Sequence, residues 1–144
     1  MNESIIEEPK KRSTSLSIIA ILSWIAEAFI FLALGIMMLA KDFFIENQEE
    51  LLEKDTTGSM ELFLNQIETQ YDLILVYPFL LNIISFVGVL YMFKLKKIGF
   101  HIYMVTHIVL IVLAYIASGE IGWTGLMISL SFMGLYASNL KHMN

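Results

Sequence analysis

The sequence predicts an all-α integral membrane protein, an up-and-down four-helix bundle with a partly helical extracytoplasmic loop. Two observations about charge carry that expectation. Charged residues make up only 16% of the 144 and hydrophobic residues 57%, against roughly 25% charge in an ordinary soluble domain. The few charges also avoid four segments: 13–40 holds one, Glu27, while 73–93, 98–119 and 121–140 hold none. These segments are 28, 21, 22 and 20 residues long, and a helix needs about 20 apolar residues to cross a hydrocarbon core of roughly 30 Å. A soluble helical protein of this composition would have too little polar surface to face water. The net charge of -5 and the absence of cysteine further exclude a disordered chain, a disulfide-stapled secreted module and a basic nucleic-acid binder.

The first span is expected over 16–40. Lys10, Lys11 and Arg12 precede it and Ala33-Leu34-Gly35 offers small residues as in a cleaved signal peptide. Its apolar stretch of 25 residues exceeds the roughly 7–15 of a signal peptide, so an uncleaved helix is expected. The remaining spans are placed at 73–93, 98–117 and 122–140, with tails 1–12 and 141–144 and an outer loop 41–72. Pro78 removes a backbone donor and is expected to kink the second span or mark where its embedded part begins. The connections at 94–97 and 118–122 are short enough to force antiparallel neighbours. Trp123, Tyr71, Tyr77, Tyr91 and Tyr103 sit near span ends, where amphipathic rings favour the interface.

Orientation follows from the basic residues. With the N-terminus inside, Lys10, Lys11, Arg12, Lys94, Lys96, Lys97 and Lys141 are all cytoplasmic, seven of nine, leaving Lys41 and Lys54 outside. Both termini are therefore expected in the cytoplasm. Ten acidic residues fall on the opposite side, nine of them in the outer loop and the tenth Glu120.

That loop carries helical patterns of its own. Met60, Phe63, Leu64, Ile67 and Tyr71 share one helical face, with Ser59 as the expected N-cap, and this helix could run into the second span as one rod. Glu46, Glu49, Glu50 and Glu53 follow the same spacing and would align four carboxylates. Such a stripe could gather hard cations, but it lacks a calcium-loop pattern and reads first as a solvated face. A structured loop on so small a chain is also the most obvious docking surface.

Inside the membrane, each span places a polar residue near mid-depth. Glu27 lies 15 residues after Arg12 and 14 before Lys41, and Asn82, His107 and Ser131 occupy matching depths at ~1.5 Å of rise per residue. Ser23 is four residues from Glu27, Ser85 three from Asn82 and Tyr103 four from His107, so each shares a face with its neighbour. Thr124, Ser131, Gly134 and Ser138 form a small-residue stripe suited to close contact and expected to turn inward. Glu27, Asn82, His107, Ser131 and Ser23 are thus the candidate intramembrane site. Two readings stay open. Polar residues can simply hold a bundle together, whereas an intramembrane acid can serve in a proton relay, with one proton held between Glu27 and His107.

Four helices with a glutamate in the middle of the first resemble the plan of small multidrug-resistance exporters, a resemblance that implies proton exchange with a cationic drug at Glu27. The run Tyr91-Met92-Phe93-Lys94-Leu95-Lys96-Lys97-Ile98-Gly99-Phe100-His101-Ile102-Tyr103 resembles the second-to-third helix hairpin of small four-span bacterial membrane proteins of unknown function. That resemblance implies a bacterial inner membrane.

Other chemistry finds no residues. His101 and His107 are six apart, about 120° from a shared helical face, and make no metal site. Thiolate chemistry is excluded, and nucleophile elbows and phosphate loops are absent. The expectation is a non-catalytic accessory or interaction subunit docking through 41–72, with no cofactor and no nucleic acid. Its partners would be the lipid bilayer and another membrane or extracytoplasmic protein or a second copy. The alternative is a proton-coupled small-molecule transporter or regulator using Glu27, His107 and Asn82.

Overall fold

The computed structural model describes residues 12–120 and 122–144, so Lys10, Lys11 and most of the expected cytoplasmic N-terminal tail lie outside the described residues. The described chain is all-helical. Its α-helices are α1 (Thr14–Leu39), α2 (Lys41–Glu46), α3 (Gln48–Lys54), α4 (Ser59–Tyr71), α5 (Tyr77–Phe93), α6 (Ile98–Ser118) and α7 (Trp123–Ser138), with a π-helical turn at Asp72–Val76 and a 3-10 turn at Leu140–His142.

Three helical stretches are long and apolar enough to cross a membrane: Thr14–Leu39, Ser59–Phe93 and Ile98–Ser118. No more than 28% of the most apolar window in each is buried, so most of that apolar surface faces outward, as hydrocarbon rather than water would allow. The three helices fit a membrane protein. The fourth expected span, 122–140, is shorter than the sequence suggests: α7 has 16 residues, about 24 Å of helix. It starts after Gly122 and stops at Asn139, whose Nδ2 bonds back to the Leu135 carbonyl at 2.9 Å.

Local chemistry explains the element ends. Ser13 caps α1 by accepting the Leu16 N–H at 3.1 Å, and the Ser13 and Ser15 hydroxyls both donate to Asn139 Oδ1, at 2.8 and 2.9 Å. The start of α1 is thereby tied to the end of α7. Pro78 lacks an N–H and its ring crowds the carbonyl four residues back. The chain responds by widening into the π turn, in which the Tyr77 N–H reaches the Asp72 carbonyl, with a kink upstream at Gln70 (φ -131°). Helical structure nonetheless continues from Ser59 to Phe93, 35 residues.

At the other end of α5, Lys96 N–H bonds to the Tyr91 carbonyl and Leu95 N–H to that of Met92, both at 2.9 Å. This is a Schellman stop with Leu95 in the left-handed position usually taken by glycine (φ 61°). The Leu95 side chain packs on the core, which offsets the backbone cost of about 1 kcal/mol. Asn144 then pairs with this turn, donating to the Leu95 carbonyl at 2.7 Å and accepting from Lys97 at 2.8 Å.

The helices α1, α5, α6 and α7 pack each against the next in a ring, most extensively at α5–α6 and least at α1–α7. The α5–α6 contact is a glycine crossing. A Cβ on Gly99 would lie 2.5 Å from the Met92 nitrogen, and one on Gly88 would lie 3.0 Å from that of Tyr103. The main core, Leu16, Ile19, Ala20, Val89, Met92, Phe100, Tyr103, Tyr136 and Met143, gathers at this hairpin end. Tyr103, expected at the interface, is 3% exposed and belongs to that core.

The outer segment folds as a helical cap in which α2 and α3 pack on α4 and Phe44 meets Phe63 edge-on at 5.5 Å. Two expectations for it need correction. The four carboxylates do not align on one helix, because the chain breaks at Asn47 between α2 and α3 and leaves Glu46 apart. Nor does Ser59 cap α4. Gly58 occupies the N-cap in a left-handed conformation (φ 73°), and the Asp55 carboxylate accepts the Met60 N–H at 2.6 Å together with the Thr57 hydroxyl and N–H at 2.7 and 2.9 Å.

Candidate functional site

Four helices contribute to one polar chain just beyond the core. Glu27 on α1 is 4% exposed, and its Oε1 accepts a 2.6 Å hydrogen bond from the Ser85 hydroxyl on α5. Ser85 Oγ lies 3.3 Å from His107 Nε2 on α6, and His107 Nδ1 lies 3.3 Å from Ser129 Oγ on α7. The imidazole is thus held between two hydroxyls; with its own proton given to Glu27, Ser85 Oγ accepts from Nε2–H, and in the neutral ring Nδ1 then accepts from the Ser129 hydroxyl. The Tyr103 ring covers it at 4.1 Å between centroids.

Beneath this chain, on the core side, the Tyr136 hydroxyl donates to Ser23 Oγ at 2.8 Å. Ser23 and Tyr136 are both buried, and Tyr136 meets Tyr103 edge-on at 5.2 Å. This layer separates the chain from the hairpin end. Glu27 also borders two cavities. One, of about 320 Å³ between α1 and α5, is lined by Glu27, Ala28, Phe31, Leu32, Asn82, Ile83 and Phe86. The other, of about 220 Å³, lies toward α6 and α7 and is lined by residues including Ser23, Tyr103, His107, Gly125, Ser129 and Phe132. Glu27 Oε2 is buried with no hydrogen-bond partner, an unusual condition for a carboxyl oxygen and a costly one.

Of the sequence candidates, Glu27 and His107 are brought together through Ser85, Asn82 joins Glu27 in lining the first cavity, and Ser23 sits one layer away, engaged by Tyr136. Ser131 is not part of the site. It is exposed and its hydroxyl donates to the Met127 carbonyl of its own helix at 2.7 Å. Depth does not determine azimuth: two residues along a helix rotate a side chain by about 200°, and it is Ser129 that faces His107. The stripe Thr124, Ser131, Gly134 and Ser138 likewise turns outward rather than inward. The inward face reads Ser129, Phe132 and Tyr136, at i, i+3 and i+7. That spacing was available in the sequence, and Tyr136 and Ser129 are the site residues it would have supplied.

Among the described residues, no group of three or more His, Asp or Glu side chains is arranged to hold a metal ion. Comparison with known proteins finds no matching family model, no similar curated protein and no similar solved structure.

Proposed function

We propose that this is a four-span protein of the bacterial inner membrane, both termini cytoplasmic, that takes up and releases a proton at Glu27 as a proton-linked carrier or regulator of small molecules. The observation that carries the reading is the buried Glu27 carboxyl, hydrogen-bonded by Ser85 at 2.6 Å, with Ser85 in turn 3.3 Å from His107. With His107 protonated and Glu27 ionised, the Nε2 proton passing to Ser85 Oγ releases the Ser85 proton to Glu27 Oε1, which turns an imidazolium and a carboxylate into a neutral imidazole and a neutral acid. For a short α7, crossing would require local thinning of the bilayer, a modest cost per Å of mismatch. Among the described residues, Arg12, Lys94, Lys96, Lys97 and Lys141 lie at the hairpin end, which supports the orientation.

The reading is tested in liposomes with an enclosed pH indicator. Wild-type protein is expected to give a proton-linked response that Glu27→Gln abolishes at equal expression and equal oligomeric state; an unchanged response in Glu27→Gln overturns it. Orientation is tested separately, since the chain has no native cysteine. Asp55→Cys should react with an impermeant thiol reagent from outside and Lys96→Cys from inside.

A docking role for 41–72 is favoured by one feature. The cap leaves Phe43 and Leu62 about 60% exposed although it already has its own buried pair, Leu64 and Ile67. Shortening α2–α3 should then lose a protein that co-purifies from the native membrane.

A further inference from the structure

We infer that the cavity where α1 gives way to the cap binds the headgroup of an aminophospholipid, a phosphate diester bearing a primary ammonium, with the phosphate on Lys41 and the ammonium on Glu68 and Asp72. The inference uses the membrane placement proposed above and is independent of the proton reading.

The cavity has a volume of about 520 Å³, within the range of small-molecule sites. Its wall carries both signs of charge: Lys41 at the start of α2, Glu68 on α4 and Asp72 at the first residue of the π turn. Glu68 and Asp72 are exposed, so a guest can reach their carboxylates. The Lys41 ammonium lies 4.2 Å from the centre of the Tyr71 ring, a contact that fixes the cation and leaves its N–H donors unspent. Tyr71 directly precedes Asp72, which puts their Cα atoms about 3.8 Å apart. Cation and carboxylate thus flank one opening. Yet among the described residues Lys41 forms no ion pair with either acid, the one such pair being Lys54 with Glu50. Opposite charges that share a cavity without touching leave room for a dipolar guest between them.

Position selects a lipid. The first span ends at Leu39, which is 88% exposed, and the rings of Tyr71 and Tyr77 line the cavity, as rings do at a bilayer boundary. Acyl chains below a headgroup held here run past Leu39 and Leu80, both exposed. Lys41 also stands against the orientation trend, as a basic residue beside the outer end of a span. A phosphate partner gives it a role there.

Charge selects the headgroup. The cap side carries ten acidic residues against Lys41 and Lys54, a field that repels a lipid of net negative charge. A zwitterion adds no net charge. Its primary ammonium has three N–H donors, enough for two carboxylates, whereas a trimethylammonium has none. Phosphatidylethanolamine therefore fits better than phosphatidylglycerol or phosphatidylcholine.

Native mass spectrometry of the full chain in mild detergent, with equimolar dioleoyl forms of these lipids, tests the choice. One phosphatidylethanolamine should be retained, favoured about threefold or more over each of the others. Lys41→Gln and Asp72→Asn should each lower that retention about threefold, while Lys54→Gln, whose charge lies outside the cavity, should leave it unchanged. Equal retention of all three lipids would reduce the contact to ordinary solvation by lipid and overturn the inference. So would selective retention that survives both Lys41→Gln and Asp72→Asn. Glycerophosphoethanolamine, the water-soluble headgroup, should not displace the lipid at equal concentration; full displacement would assign the site to a soluble phosphate ester and overturn the lipid assignment. Membrane placement is scored apart, by thiol labelling of Asp55→Cys and Lys96→Cys. If the labels report the expected sides while the lipids are retained equally, the headgroup inference alone falls; if phosphatidylethanolamine is selected while the labels are reversed, the orientation alone falls.

Discussion

At the hairpin end of the bundle, α5 and α6 touch backbone to backbone through Gly88 and Gly99, while Leu16, Val89, Met92, Tyr136 and Met143 are fully buried. Past Glu27, toward the cap, α1 exposes Phe29 at 70% and Ile36 at 63%, and cavities open on either side of the acid. One end is therefore a close-packed clamp and the other a looser sleeve, with Glu27, Ser85 and His107 at their boundary. Packing at the clamp supplies the rigidity that lets a buried acid keep an unfilled hydrogen-bonding position. The sleeve leaves largely apolar space on either side of that acid.

Substitutions at the two ends should differ most where glycine is concerned. Gly99→Ala places a methyl group against the α5 backbone, which cannot yield as a side chain tip would, and is expected to destabilise the bundle by about 3 kcal/mol. Gly125→Ala on α7, on the sleeve side of Ser129, where an added Cβ meets nothing within 4 Å, should be neutral or slightly stabilising. Unfolding of the two variants in mild detergent measures the contrast, and equal losses would remove the distinction between clamp and sleeve.

A smaller effect is expected at the layer between the two regions. Tyr136→Phe removes the hydroxyl that bonds buried Ser23 and should cost about 1–2 kcal/mol, whereas Ser131→Ala, on the outward face of α7, should stay within about 0.5 kcal/mol. The same unfolding measurement ranks them.

The smallest effect is confined to the cap. Hydrogen bonds from the Thr57 hydroxyl, then from the Thr57 and Met60 N–H groups, hold the Asp55 carboxyl below its ordinary value of 3.8. A carboxyl with a depressed folded pKa contributes its stability above the unfolded value and loses it as pH falls through the folded one. The start of α4 should therefore loosen only below about pH 4, seen as faster exchange of the Met60 amide relative to its intrinsic rate, while the clamp remains protected.

Much of this division was legible in the sequence, and the part that was not has a physical reason. Charge-poor runs located α1, α5 and α6 because apolar length is a one-dimensional property, and Glu27 and His107 stood out as the ionisable or titratable groups deepest within them. What a run of residues does not encode is rotation about the helix axis. Ser131 and Ser129 lie at similar depth, and only packing against His107 distinguishes them; Tyr136, assigned no role from the sequence, is buried because α7 turns that face inward. The break at Asn47 escaped because Glu46 to Glu53 keep helical spacing across it. Gly88 and Gly99 were ordinary until the α5–α6 crossing brought their backbones together.

The central claim is that the carboxyl at the boundary between clamp and sleeve exchanges a proton within the membrane. Difference infrared spectroscopy between acidic and alkaline buffer, on protein in lipid bilayers, observes the carboxyl directly. The account predicts a reversible protonated-carboxyl band in an apolar environment that is present in wild type and missing in Glu27→Gln. A spectrum without that band in wild type, or one in which it persists in Glu27→Gln, would contradict it.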